Sequence, residues 1–307
     1  QTSTTPANVV SGATEGAFGN FSSTGDINDA AARFTRSIYS AYIQDEWSVN
    51  DQLKVVGGVR ADWFDGGHPD YNPVFKSRYG FSNATGFSNI GGVFLPRVAA
   101  TYNFGDSGLF SRAQMRAGVG IFSGGDPLVW FGNAFQNDGS AFALGTTQAS
   151  ACGTGRISVL NSGGQFTGVP TCMQADARAI ASANSGATQS IDPNLKMPTV
   201  VRANLGFTTD LNFSSTGFFS GWNATLDYIY SEFRNPYTLV DLAQAPNPSA
   251  GLNGYAIDGR PIYASVDPLR PGCSARLSSV GAPPVYSGLS AACFTGSNRG
   301  ADLMLTN

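Results

Sequence analysis

Along residues 37–49 apolar and polar positions alternate. Tyr39, Ala41, Ile43, Trp47 and Val49 occupy one series, and Ser40, Tyr42, Gln44, Glu46 and Ser48 the other. Successive side chains of a strand point to opposite faces, so a period of two predicts a β-strand with one apolar and one polar side. Five further runs repeat the design. In 53–64, Leu53, Val55, Gly57, Val59, Ala61 and Trp63 oppose Lys54, Arg60 and Asp62. In 95–104, Pro96, Val98, Ala100, Tyr102 and Phe104 oppose Arg97, Thr101 and Asn103. In 113–122, Met115, Ala117, Val119 and Ile121 oppose Gln114 and Arg116. In 200–211, Val201, Ala203, Leu205, Phe207 and Leu211 oppose Arg202, Asn204 and Asp210. In 222–233, Trp222, Ala224, Leu226, Tyr228 and Tyr230 oppose Asn223, Thr225, Asp227 and Ser231. Near the end, Ala301, Leu303 and Leu305 alternate with Asp302, Met304 and Thr306, which predicts the start of a seventh strand.

Soluble sandwiches alternate too, so the placement of charge decides between them and a membrane barrel. A Lys or Arg at the lipid midplane of a barrel costs about 2–4 kcal/mol, and none lies on the six apolar series. Asp45 does lie there, two residues from Trp47 and close to a turn. Tyr39, Trp47, Trp63, Phe104, Trp222 and Tyr230 stand near strand ends, where interfacial aromatic girdles form. Connection lengths give an independent test. Residues 50–52, 105–110 and 212–220 are short connections, and 66–92, 124–198 and 235–299 are long ones, in strict alternation. Barrel strands run up and down with short turns on one side of the membrane, which accounts for the parity.

The predicted fold is therefore all-β, an antiparallel transmembrane β-barrel segment of six full strands and part of a seventh, with long extracellular loops. Residues 1–307 form one partial barrel domain: a surface loop over 1–35, four strands within 37–123, a long loop over 124–198, two strands within 199–234, a second long loop over 235–299, and the start of strand seven in 300–307. Small barrels need about eight strands to enclose a lumen, so the chain is expected to be the middle of something larger.

Composition fits this picture and removes others. Only 13% of residues are charged, and the chain holds 38 glycines and 21 phenylalanines, as β-structure with long loops requires. With 18 basic against 21 acidic residues there is no basic surface to follow a phosphate backbone, which argues against nucleic-acid binding. No run approaches the ~18 apolar residues of a membrane helix. The first twenty residues lack a basic region followed by an apolar one, so a mature chain or an internal fragment is expected. Nineteen residues separate Cys152 from Cys172, and nineteen separate Cys273 from Cys293. That spacing suits no zinc site. Two loop-closing disulfides, 152–172 and 273–293, are expected among the three possible connectivities, with four free thiols as the alternative. Each bridge would contribute on the order of 3 kcal/mol.

Catalytic chemistry finds little footing. His68 is the single histidine and stands in Gly67-His68-Pro69-Asp70 with no recognisable nucleophile motif. Asp45 and Glu46 are adjacent on a strand, point to opposite faces and cannot act as an acid/base pair. No spacing of oxygen ligands suits Ca²⁺. The reading is of a protein that is not an enzyme and needs no cofactor or metal.

Tyr42-Ile43-Gln44-Asp45-Glu46-Trp47, followed by Leu53-Lys54-Val55-Val56-Gly57-Gly58-Val59-Arg60, resembles the barrel of TonB-dependent receptors. The continuation is similar to their Oar-like, OmpA-related branch: Leu95-Pro96-Arg97-Val98, then Arg116-Ala117-Gly118-Val119-Gly120-Ile121-Phe122, then Pro127-Leu128-Val129-Trp130-Phe131-Gly132-Asn133. Ile191-Asp192-Pro193-Asn194-Leu195-Lys196-Met197-Pro198, leading to Arg202-Ala203-Asn204-Leu205, matches the same branch. The resemblance implies an active transporter in the outer membrane of a Gram-negative bacterium. Its partners would be outer-membrane lipid, an unidentified substrate and the TonB complex, reached through an N-terminal part with a plug and TonB box that this stretch lacks. Substrate would bind surface loops and the upper lumen. The candidate contacts are lumen-facing Arg60, Asp62, Arg97, Arg116, Arg202 and Asp227, with Trp130, Asn133 and Asn137 in a loop; the alternatives are pairing of the wall charges with neighbours or plug, and support of the loop's return over the rim by Trp130 and Asn133. Two alternatives stand beside this: a non-transporting outer-membrane adhesin or passive pore, and a secreted soluble β-rich binding protein.

Overall fold

The computed structural model describes residues 18–26, 28, 31–108, 110–124, 127–146, 150–153, 161, 163–166, 168–295 and 301–307. In chain order the strands are β1 (Phe18–Ser22), β2 (Arg36–Ser48), β3 (Leu53–Gly66), β4 (Val93–Asn103), β5 (Phe110–Ser123), β6 (Phe142–Thr146), β7 (Thr188–Ile191), β8 (Thr199–Leu211) and β9 (Trp222–Arg234). Shorter strands follow: β10 (Thr238–Asp241), β11 (Gln244–Pro246), β12 (Tyr263–Ser265), β13 (Arg276–Ser279), β14 (Val285–Ser287) and β15 (Asp302–Thr306). Among the described residues the α-helices are α1 (Pro73–Tyr79), α2 (Leu128–Gln136) and α3 (Thr171–Ser182).

The six amphipathic runs form one six-stranded sheet in the order β2-β3-β4-β5-β8-β9, every neighbouring pair antiparallel. Its strands are 11 to 14 residues long, more than the ~9–11 a tilted strand needs to cross a hydrocarbon core. Register carries the tilt. Ser48, the last residue of β2, lies in one ladder row with Lys54, Thr101, Arg116, Gly206 and Asp227. Asp227 stands five residues beyond Trp222, where β9 begins. The lower rim thus steps by about one residue per strand. With a rise of ~3.3 Å per residue and strands ~4.8 Å apart, that step corresponds to a tilt of about 35°, the value found in membrane barrels.

One face of this sheet is apolar and open: Ile43, Leu226, Val98, Val119 and Leu205 are exposed by 71, 73, 46, 48 and 48%. Aromatic residues recur eight positions apart on it, as Tyr39 and Trp47, Phe94 and Tyr102, and Trp222 and Tyr230. Eight residues at that rise and tilt span about 22 Å of height, close to the ~25 Å apolar band of an outer-membrane barrel. Asp45 lies on this face, as its parity predicts. Glu232 shares it, at the rim, where Arg234 Nε lies 3.3 Å from its Oε1.

The sheet is open, not a closed barrel: among the described residues nothing pairs with the outer edge of β2 or β9. The predicted seventh strand is a strand, but it does not extend this sheet. β15 lies between β10, antiparallel, and β7, parallel, with Met304 and Leu305 1 and 2% exposed. The reason is legible in its side chains: Leu303, Met304 and Leu305 are consecutive apolar residues, the pattern of a strand buried on both faces.

The long connections also differ from the open loops expected of them. All three leave the same end of the sheet and fold together into a cap. Phe87 and Ile90 from the β3–β4 connection, Phe131 and Ala134 from α2, Ile191 from β7, Leu195, Met197 and Leu305 form one buried cluster, with Phe34 and Phe64 against it. Phe75 and Tyr79 of α1 join Val240, Leu242, Val266, Tyr286 and Met304 in a second. Asn72, 1% exposed, caps α1 through Oδ1 and donates from Nδ2 to the carbonyls of Asp138 and Asn184, 2.8 and 3.1 Å away. Asp302, equally buried, accepts from the Tyr79 hydroxyl at 2.6 Å and the Thr188 amide at 3.3 Å. Tyr237 donates to Met197 Sδ at 3.2 Å, and burial raises its phenol above the ordinary range against the opposing pull of Arg36. Disulfides join Cys152 to Cys172 and Cys273 to Cys293, with Cα–Cα distances of 4.9 and 4.7 Å. Of the predicted surface loop 1–35, residues 1–17 lie outside the described residues, and β1 pairs with β6 inside the cap.

Candidate functional site

Opposite the apolar face, register gathers the charged side chains onto one surface. Gln44, Gly58, Arg97, Gly120, Arg202 and Ser231 form one ladder row. Arg116, Gly206 and Asp227 belong to another, and Gly118 and Asn204 to the row between. Glycines alternate with the long polar residues for a steric reason. A Cβ on Gly120 would stand 2.9 Å from Arg97 Cβ, one on Gly118 2.9 Å from Asn204 Oδ1, and one on Gly206 2.5 Å from Asp227 Oδ1. Each missing side chain leaves room for its neighbour to lie across the sheet.

The charges on this face fall into two groups. Arg60 Nε donates to Asp62 Oδ1 at 2.7 Å and its Nη2 to Ser40 Oγ at 3.1 Å, while Lys54 Nζ lies 2.5 Å from Glu46. Those cations are neutralised within the sheet. Arg97 donates to Gln44 Oε1 at 3.0 Å, Arg116 to Thr208 Oγ1 at 3.4 Å and Arg202 to Ser231 Oγ at 3.3 Å. Among the described residues none of these three has a carboxylate oxygen within 4.0 Å. Each keeps spare N–H donors and its full charge. Arg97, Arg202, Asn204, Gly118, Gly120 and Phe122 line a shallow trough of about 160 Å³.

The predicted residues thus separate. Arg60, Asp62, Arg97, Arg116, Arg202 and Asp227 share one face, whereas Trp130, Asn133 and Asn137 lie in the cap. Trp130 packs against the cluster around Phe87 and Phe131. Asn137 ends α2, its backbone and side-chain N–H groups both donating to the Asn133 carbonyl at 2.8 Å. Trp130 and Asn133 lie within α2 and Asn137 caps its end, so the loop predicted here contains a helix. A pocket of about 620 Å³ opens elsewhere in the cap, with Arg33, Phe34, His68, Asp70 and Phe135 on its walls. Its residues come from three separate segments, so no local motif announces it. The aligned glycines left a sequence signal, Arg116-Ala117-Gly118-Val119-Gly120, whose partners only register supplies. Among the described residues no cluster of His, Cys, Asp and Glu could hold a metal ion.

An open sheet with an exposed apolar face, a charged opposite face, barrel tilt and a one-ended cap has the anatomy of a membrane-barrel wall. The family model for TonB dependent receptor-like, beta-barrel domains matches residues 3–270. The chain belongs to the TonB-dependent receptor β-barrel family. No curated protein matches it, and no solved structure does. TonB-dependent receptors are transporters rather than enzymes and lie in the Gram-negative outer membrane, which is this chain's location. Membership also implies interaction with TonB and a transported substrate.

Proposed function

We propose that the six-stranded sheet is one arc of the barrel wall of an Oar-like TonB-dependent transporter, with further strands of the same receptor on both edges. The cap forms part of its cargo-facing outer surface. The observation that carries this reading is the pair of bare edges on a sheet whose outer face suits lipid. β2 and β9 are 13 residues each, and each outward backbone N–H or C=O left unpaired in hydrocarbon would cost several kcal/mol. Such edges are stable in a membrane when other strands continue the ladder.

Within that wall the polar face lines the lumen, and Arg97, Arg116 and Arg202 are the side chains free to meet cargo or a movable plug. Arg60 and Asp62 are engaged with each other and hold the wall's charge balance. The TonB complex acts through a part of the receptor that this sheet does not contain, because an energised switch needs an element with two states of different affinity. Trp130, Asn133 and Asn137 serve the cap's fold.

Hydrogen exchange on the intact receptor in bilayers tests the arc. Outward-edge amides of β2 and β9 are expected to exchange as slowly as those of the central strand β4. Rapid exchange along either edge, with β4 protected, contradicts a continued barrel.

A further inference from the structure

The short turns at the end remote from the cap differ in kind. Residues 50–52 and 104–109 each carry a carboxylate, Asp51 and Asp106. Residues 211–222 carry no charge and hold Phe213, Phe218, Phe219 and Trp222, which are exposed by 57, 76, 60 and 45%. The Phe218 ring meets those of Phe219 and Trp222 edge-on, at 5.2 and 5.4 Å between centroids.

Beside the exposed rings, several of the turn's polar groups bond to one another. The Ser214 amide donates to the Phe219 carbonyl and the Ser220 amide to the Gly217 carbonyl, both at 3.1 Å. Ser214 Oγ donates to the Thr216 carbonyl at 2.9 Å, Ser220 Oγ to that of Gly217 at 2.7 Å, and Trp222 Nε1 to that of Phe218 at 2.6 Å. Each such bond lowers the cost of taking its groups out of bulk water. The segment's four exposed aromatic residues gain from that transfer.

We propose that the 212–221 turn is an interfacial foot, inserted among the phospholipid headgroups of the periplasmic leaflet. Phospholipid is the occupant because the patch is continuous with the lipid-facing surface. Trp222 belongs to the outward series of β9 and to its lower aromatic belt, and the phenylalanines extend that belt below the strand. Aromatic rings are favoured at this depth, whereas such a patch on a protruding turn in water invites association. The foot fixes the height of the β8–β9 hairpin in the bilayer. The inference rests on the sheet being a barrel wall.

Nitroxide labels at Ser215, Asp51 and Leu226 of the intact receptor, in phosphatidylethanolamine and phosphatidylglycerol bilayers, separate the two ideas. The ratio of oxygen to nickel-chelate accessibility is expected to be about tenfold higher at 215 than at 51, approaching that at 226. Equal ratios at 215 and 51, with 226 still oxygen-rich, overturn the foot and leave the wall intact. A nickel-accessible label at 226 overturns both. In the Phe213→Ser, Phe218→Ser, Phe219→Ser variant the ratio at 215 is expected to fall to the value at 51. An unchanged ratio means that the rings do not hold the turn in lipid, and the proposal fails.

Discussion

The wall and the cap solve opposite solvent problems with similar residues. In the wall the large apolar side chains stand outside, Leu226 and Ile43 more than two-thirds exposed. In the cap they are enclosed, with Phe75 and Phe131 fully buried and Phe87 at 1%. The cap also carries both disulfides and the buried Asn72 and Asp302 networks, as a water-exposed domain does. The difference teaches that alternation identifies a strand but not its surroundings. In β2 the alternation separates an exposed apolar face from the charged one, while in β15 apolar residues on both faces mark a central strand.

Perturbing one region and reading both is the way to break this comparison. The largest effect is expected from Phe131→Ala, which should cost the cap about 3–5 kcal/mol by opening a cavity beside Phe87. Hydrogen exchange should show lost protection in α2 and β7 with β3 to β5 unchanged. Equal loss in the wall would make the two a single cooperative unit. Next, Leu205→Arg should destabilise the wall by about 2–4 kcal/mol in denaturant titrations in bilayers, whereas Asn204→Arg on the opposite face should stay within about 1 kcal/mol. Similar costs at the two adjacent positions would remove the distinction between faces. Asp302→Ala is expected to cost about 1–3 kcal/mol, because the Tyr79 hydroxyl and Thr188 amide lose their buried acceptor. Its effect should be confined to protection of α1, β7, β10 and β15.

Six wall strands were legible from period two alone, because a membrane barrel must keep cations off one series of every strand. The faces of Arg60, Arg97, Arg116, Arg202 and Asp227 followed from the same parity. Register was not legible. The pairing of Arg97 with Gly120, and with it the strand tilt and the glycine-floored trough, depends on contacts between segments distant in sequence. The cap was hidden for a related reason. Its short strands and helices draw stability from clusters joining β3–β4, β5–β8 and post-β9 residues, so each alone reads as a loop. For Trp130 two roles were open in the sequence, ligand contact and support of the loop's return over the rim; its packing on the Phe87–Phe131 cluster and the end of α2 at Asn137 depend on contacts that no local motif carries.

The central claim is that one sheet separates lipid from lumen, and a nitroxide scan of residues 200–208 in β8 tests it most directly. Accessibility to oxygen and to a nickel chelate should alternate with a period of two in the bilayer-embedded receptor. Val201, Ala203, Leu205 and Phe207 should be oxygen-rich, and Arg202, Asn204 and Gly206 nickel-accessible. Uniform accessibility along the strand, or alternation in the opposite phase, would contradict the account.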